Sequence, residues 1–289
     1  MNTVPAGIRS PHGDRRRAAV LGSPITHSRS PRVHLAAYRA LGLVDWRYDR
    51  IECTADRLPE IVSGADVDFI GFSVTMPNKR AALEFATERT ERAELVGSAN
   101  TLVRVATGWR ADCTDIDGVS GALTDLAVDA DLAAGTSPVA VVVGAGGTAL
   151  PTIMALAETG ITDVTVVARD AGRAAPVLEL CERLGMNGDV VPFEPAEELA
   201  RRCRESAVVV STVPADAAAV LTPAVARARK VVDVIYDPWP TPLASAVDAA
   251  GGTVVGGLVM LVNQAFRQVE QFTGLPAPRD VMVAALTAD

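Results

Sequence analysis

Short apolar runs of strand length alternate along the chain with segments whose apolar positions recur at helical spacing. A run of four to eight apolar residues bounded by turn signals reads as a strand, and recurrence at i, i+3, i+4 reads as an amphipathic helix. Strands are predicted over 18–21, 46–51 and 68–73. Pro31 opens a helix predicted through Leu41, because proline in the first turn has no N–H to lose there. A helix over 79–86 and a hairpin of 101–105 with 108–111 follow. From Ser137 onward a second series begins, with strands predicted over 139–143, 163–168, 207–211, 231–234 and 253–255 and helices between them. Strand–helix alternation of this length implies a parallel sheet covered on both faces. The last long helix, 258–273, comes after that sheet is complete and is expected to return to the first half. The fold class is therefore α/β, as two α/β domains separated by a cleft.

The bulk numbers narrow the function. A length of 289 residues suits two domains. An apolar share of 49% with 21% charged residues is globular, not disordered, composition. The net charge of -8 makes nucleic acid an unsuitable partner. Arg15-Arg16-Arg17 is the only basic cluster and reads as a solvated tail. The residues before it lack the apolar stretch of a signal peptide. No segment reaches the ~20 apolar residues of a membrane span. Cys53, Cys113, Cys181 and Cys203 are scattered, without disulfide or zinc spacing, and the only histidines are His12, His27 and His34. A metal site is not expected. A reduced, cytoplasmic protein is expected, as a monomer or homodimer.

Chemistry enters at Gly144-Ala145-Gly146-Gly147-Thr148-Ala149, which fits G-x-G-x-x-A between a predicted strand and a predicted helix. Gly144 permits the tight turn, Gly146 lets a pyrophosphate approach the backbone, and Ala149 allows close helix–strand packing. The helix N-terminus offers free N–H groups to phosphate. A packing-only glycine turn is the plainer alternative. The following strand ends at Ala168-Arg169-Asp170, with Arg173 one turn later. An acidic residue there suits the 2′-hydroxyl of NAD and arginine suits the 2′-phosphate of NADP, so both signals are present. Asp170 sits where a helix N-cap belongs, which would turn its carboxylate from the ribose. The expected cofactor is NADP, held by Gly144, Gly146, Gly147, Thr148, Ala149, Arg169 and Arg173.

Five further segments carry a family resemblance. Gly22-Ser-Pro-Ile-Thr-His-Ser-Arg-Ser-Pro31 resembles the G-x-P-I-x-H-S-x-S-P opening of the shikimate and quinate dehydrogenases. Ser73-Val-Thr-Met-Pro-Asn-Lys79 is similar to their N-V-T-x-P-x-K, Gly97-Ser-Ala-Asn-Thr101 to G-A-x-N-T, and Cys113-Thr-Asp-Ile-Asp-Gly118 to N-T-D-x-x-G. Gly257-Leu-Val-Met-Leu-Val-Asn-Gln264 is similar to G-L-x-M-L-x-x-Q. They occur in family order from about residue 17 to the end. The resemblance implies NADP-dependent, reversible reduction of 3-dehydroshikimate to shikimate in aromatic amino-acid biosynthesis. It implies a tail over 1–16, a substrate-binding catalytic domain over 17–116 with 258–289, and a Rossmann NADP-binding domain over 117–257.

The resemblance also implies roles. Lys79 and Asp115 match the catalytic pair, with a structural ion pair as the alternative. Ser28 and Ser30 match the serines that hold the substrate carboxylate, though both could cap the helix at Pro31. Thr75, Asn100 and Gln264 match the residues that bind ring hydroxyls. Tyr236 matches a tyrosine near the substrate, and Gly257 and Met260 match nicotinamide contacts. Tyr236 and Met260 could equally be core. The sequence departs from the family pattern at Ser73 and Cys113, where asparagine is usual, and at Ala168 and Asp170 around Arg169. Quinate dehydrogenase is the nearest alternative. A non-catalytic ligand sensor is disfavoured by the presence of Lys79 and Asp115, and a folate-type dehydrogenase by the Ser28-Arg29-Ser30 loop.

Overall fold

A computed structural model describes residues 15–287. Residues 1–14 of the expected N-terminal tail lie outside the described residues. The chain divides into two compact units. The first comprises the described parts of Met1–Thr90, Ala99–Asp112 and Gln268–Asp289, and the second Glu91–Ser98 and Cys113–Arg267. These limits differ from the boundaries drawn at 116/117 and 257/258. The helix Glu91–Val96 packs on the helix Ala149–Thr159 of the second unit, and Arg92 Nη1 pairs with Asp117 at 2.8 Å. The helix Gly257–Thr273 changes unit between Arg267 and Gln268.

The first unit is built on a six-stranded mixed sheet. Its strands are β1 (Arg17–Gly22), β2 (Arg47–Glu52), β3 (Phe69–Val74), β4 (Glu88–Arg89), β5 (Thr101–Val105) and β6 (Gly108–Asp112), in the order β2-β1-β3-β5-β6-β4. β2, β1 and β3 are parallel, whereas β5 runs antiparallel to β3 and forms the hairpin with β6. The start of β5 therefore lies beside the end of β3, with Thr101 opposite Ser73. Val20, Tyr38, Tyr48 and Phe272 are among the buried side chains of this core. Gly71 lies under the Phe272 ring, whose carbon would come within 2.2 Å of any Cβ placed there.

The second unit is a six-stranded, wholly parallel sheet. Its strands are β7 (Val139–Val143), β8 (Asp163–Ala168), β9 (Asn187–Pro192), β10 (Val208–Ser211), β11 (Lys230–Asp233) and β12 (Thr253–Gly256), in the order β12-β11-β10-β7-β8-β9. Counted from β7, this is the doubly wound 3-2-1-4-5-6 order, with its switch point between β7 and β10. Apart from Val139 at the start of β7, the valines of β7, β8, β10 and β11 are almost fully buried, as expected of strands covered on both faces.

Three expectations change. β9 and β4 were not anticipated: β9 reads Asn187-Gly188-Asp189-Val190-Val191-Pro192, polar and largely exposed, and it forms because it pairs along β8. Arg17 is not part of a solvated tail. It belongs to β1, pairs with Asp49 at 3.3 Å and lies 4.4 Å over the Phe69 ring. Among the described residues no helix is long and apolar enough to cross a membrane.

Candidate active site

In the first unit the chemistry collects where parallel strands end. β1 runs into the loop bearing Ser28 and Ser30, and Ser30 opens the helix Ser30–Ala40. β3 runs into Thr75, whose N–H donates to Leu21 O at 2.8 Å. Gly22 is required here, because a Cβ would meet Thr75 Cγ2 at 2.4 Å. Lys79, half-buried, is the first residue of the helix Lys79–Phe85. The preceding turn is tied down by Asn78, whose side-chain amide donates to Cys53 O at 2.7 Å. Asn100, buried, precedes β5, and its carbonyl accepts from Val74 N at 2.7 Å. Reversal of β5 thus brings Asn100 to the strand ends that carry Thr75 and the serine loop.

Beneath these residues runs a buried hydrogen-bond chain. Tyr48 Oη donates to Ser73 Oγ at 2.6 Å, and Ser73 Oγ donates to Gln268 Oε1 at 2.7 Å. Gln268 Nε2 then donates to Asn100 O at 3.2 Å and Thr101 Oγ1 at 3.0 Å. Burial pushes the Tyr48 phenol well up, while the Ser73 and Ser30 hydroxyls act in the opposite direction. Tyr48 and Gln268 carry no motif and were not anticipated. Ser73, a departure from the family pattern, is here the middle of the chain and completes it with its partners.

In the second unit, Asp115 is buried in the first turn of the helix Asp115–Asp125. Gly118, one turn on, lets this helix approach the helix Gly257–Thr273, since a Cβ would meet Met260 O at 2.7 Å and Gln264 Cβ at 3.4 Å. Asp115, Met260 and Gln264 therefore sit on two helices in close contact. Gly257 packs against the segment after β11, where a Cβ would meet Val234 O at 2.1 Å, and its N–H donates to Ile235 O at 3.0 Å. Tyr236 follows in that segment. Asp233 anchors it, accepting from Thr241 Oγ1 at 2.7 Å and from Ile235 N at 3.2 Å. Burial raises the Asp233 carboxyl above its ordinary value, against these hydrogen bonds.

The glycine loop lies at the switch point. Gly144 has φ +103°, and a Cβ there would meet Val213 Cγ1 at 2.6 Å and Thr212 Oγ1 at 2.7 Å, from the segment after β10. Gly146 and Gly147 face open space, with no atom within 4 Å of an added Cβ. That combination, one glycine forced by the turn and two exposed beside a helix N-terminus, fits a dinucleotide pyrophosphate. Thr148 precedes the helix Ala149–Thr159, and buried Ala149 opens it. Arg169 and Arg173 are exposed beyond β8, and the Arg169 guanidinium lies 4.9 Å over the Phe193 ring. Asp170 caps the helix Ala171–Arg183, its Oδ1 accepting from Gly172 N at 2.7 Å. Cys113 is buried, and none of the four cysteines forms a disulfide.

A doubly wound unit with this loop at its switch point, in one chain with an α/β unit bearing a lysine amid hydroxyl and amide groups, belongs to the dinucleotide-dependent oxidoreductases. Three family models match: the shikimate dehydrogenase substrate binding domain over residues 20–102, shikimate / quinate 5-dehydrogenase over 130–236, and the shikimate 5'-dehydrogenase C-terminal domain over 257–287. The shikimate dehydrogenase (NADP(+)) of Microcystis aeruginosa is 31% identical, covering 95% of this chain and 97% of its own. A crystal structure of Mycobacterium tuberculosis shikimate dehydrogenase is similar at 55% identity and TM-score 0.87, over 95% of this chain and 100% of that one. The Thermus thermophilus shikimate 5-dehydrogenase in complex with NADP(H) and shikimate has TM-score 0.75 and 28% identity, over 93% and 98%. The chain belongs to the shikimate dehydrogenase family.

Proposed function

We propose that the protein catalyses the reversible, NADP-dependent reduction of 3-dehydroshikimate to shikimate in aromatic amino-acid biosynthesis. The observation that carries this reading is the gathering of Ser28, Ser30, Thr75, Lys79 and Asn100 at the strand ends of one unit, in a chain whose other unit has the dinucleotide loop. The first unit serves as the substrate domain and the second as the cofactor domain. The Ser28 and Ser30 hydroxyls hold the carboxylate. Thr75, Asn100 and Gln264, each with donor and acceptor capacity, hold the ring hydroxyls with Tyr236. NADPH, when bound, supplies the hydride to the ketone carbon. The Lys79 ammonium gives a proton to the resulting alkoxide oxygen and takes it back in the reverse direction. Asp115 is the carboxylate member of the catalytic pair and accepts a hydrogen bond from the substrate. Gly257 and Met260 would contact the nicotinamide of the bound cofactor.

NADP is favoured over NAD because the Asp170 carboxylate is engaged by Gly172 N at 2.7 Å. Arg169 and Arg173 are then the groups left to meet a ribose phosphate, for which two guanidiniums are suited. The four buried cysteines, none of them in a disulfide, suit a reducing, cytoplasmic setting, and the protein works as a monomer or homodimer. The test is an assay of shikimate and quinate, each with NADP and NAD, followed by nicotinamide absorbance. Turnover of shikimate with NADP is expected to dominate. A preference for quinate, or no turnover with either, refutes the reading.

A further inference from the structure

The edge strand β2 reads Arg47-Tyr-Asp-Arg-Ile-Glu52, and nothing in its sequence announces a role. Successive side chains of a strand alternate between faces, so Tyr48, Arg50 and Glu52 share one. All three reach the same neighbourhood. Glu52 pins the start of the serine loop, Oε1 accepting from Ser23 Oγ at 2.5 Å and Oε2 from Ile25 N at 3.1 Å. Tyr48 ends the buried chain through Ser73 and Gln268. Arg50 grips the loop itself: Nε and Nη2 both donate to Ser28 O, at 2.9 and 2.6 Å.

A carboxylate approaching Ser28 and Ser30 meets more than two hydroxyls. The backbone carbonyls of the same two residues lie beside those hydroxyls, and an unengaged carbonyl oxygen there would disfavour an anion. Both are already engaged. Ser28 O accepts from the Arg50 guanidinium, and Ser30 O is 2.9 Å from His34 Nδ1. Ser28 Oγ in turn accepts a long 3.4 Å bond from Ser30 N, which leaves its hydroxyl proton for an outside acceptor. A positive charge on a carbonyl next to an anion site both fixes the loop and favours the anion.

We propose that Arg50 is a positioning residue for substrate: by holding the Ser28 carbonyl it sets the Ser28 and Ser30 hydroxyls for a carboxylate and offsets the carbonyl dipole beside it. This rests on the reading of Ser28 and Ser30 as the carboxylate site. Arg50 is exposed, so its replacement spares the core.

The test compares shikimate with its methyl ester, in the parent, Arg50→Met, Arg50→Lys and Ser28→Ala. Arg50→Met is expected to raise the KM for shikimate roughly tenfold, the loss of a charge-assisted hydrogen bond. The KM for NADP should stay unchanged and kcat should stay within about threefold, since the proton donor is untouched. The KM for the ester should move little, so the preference for acid over ester falls. Arg50→Lys keeps a charged donor without the fork and is expected to recover part of the preference. If Arg50→Met retains the parent's preference while Ser28→Ala loses it, Arg50 has no such role and the carboxylate reading stands. Equal increases for acid, ester and NADP, or no recovery with lysine, overturn the proposal in the same way. If Ser28→Ala also keeps the preference, the carboxylate reading falls and takes this inference with it.

Discussion

Lys79 and Asp170 are each held in place by their local surroundings. Lys79 begins a helix directly after a tied-down turn, so its stem starts from a fixed point near Thr75 and Asn100. Lys79→Ala is expected to lower kcat by roughly 10²–10⁴-fold with a much smaller change in the KM for shikimate, the range for a positioned acid–base group. Asp115→Asn should lower kcat as well. The double variant should lose less than the two single losses combined, because a pair that acts as a unit is not additive. Additive losses in single-turnover kinetics would mean that the two act separately. At the cofactor end, Asp170 is committed to the helix that follows it. Asp170→Ala is expected to cost about 1 kcal/mol of stability, the usual worth of an N-cap, with little change in the NADP/NAD ratio. Arg169→Ala should weaken NADP far more than NAD. A shift toward NADP in the Asp170 variant would show the carboxylate facing the ribose after all.

Among the buried residues of the helix Ser30–Ala40, His34 links the serine loop to the aromatic side chains of the core. His34 is wholly buried, stacked on Tyr48 at 4.0 Å between ring centroids, and its Nε2 has no hydrogen-bond partner among the described residues. Desolvation lowers its pKa to about 4, outweighing the opposite effect of the Ser30 carbonyl. The unfolded chain titrates near the ordinary value of about 6.5, so below that pH it takes up a proton that the folded chain refuses. Stability is therefore full above about pH 6.5 and is lost as pH falls toward 4, by about 3 kcal/mol in all. Urea midpoints measured between about pH 7 and about pH 5 should fall less in His34→Phe, which keeps a ring on Tyr48, than in the parent. Equal losses would assign the acid sensitivity elsewhere. The sequence made this helix legible through Pro31 and its apolar spacing, and the motif residues through their order along the chain. It could not show what lies behind them. Tyr48, Arg50 and Glu52 look like any polar edge strand until the loop folds over them. Ser73 looked like a weakened asparagine because its partner Gln268 lies 195 residues away. β9 escaped for a related reason: Asn187, Gly188 and Asp189 have little β preference, and pairing with β8 overrides it.

At the scale of the whole molecule, the chain's route makes the two units unequal. The second unit's strands and glycine loop all lie within Cys113–Arg267. The first unit is finished only by residues after Arg267. Gln268 closes its buried polar chain, and Phe272 fills the space above Gly71. Val269 and Met282 are fully buried, and the helix Arg279–Thr287 packs on the helix Ser30–Ala40. Each large apolar side chain of this kind contributes about 1.5–3 kcal/mol by burial. A handful of them rivals the 5–15 kcal/mol that holds a typical domain folded. Removing Gln268 also takes away the acceptor of the buried Ser73 hydroxyl and one donor each to Asn100 O and Thr101 Oγ1. A chain ending at Arg267 is therefore expected to lose the first unit while keeping the second. The measurement is thermal unfolding with each ligand alone. A ligand that binds only the folded state at 100 times its Kd adds about 2.7 kcal/mol, a readily visible shift. The full chain should shift with shikimate and with NADP, whereas the shortened chain should shift with NADP alone. A shortened chain that still responds to shikimate would show that the first unit does not depend on its C-terminal helices. One that responds to neither would show that the dinucleotide unit cannot stand without them.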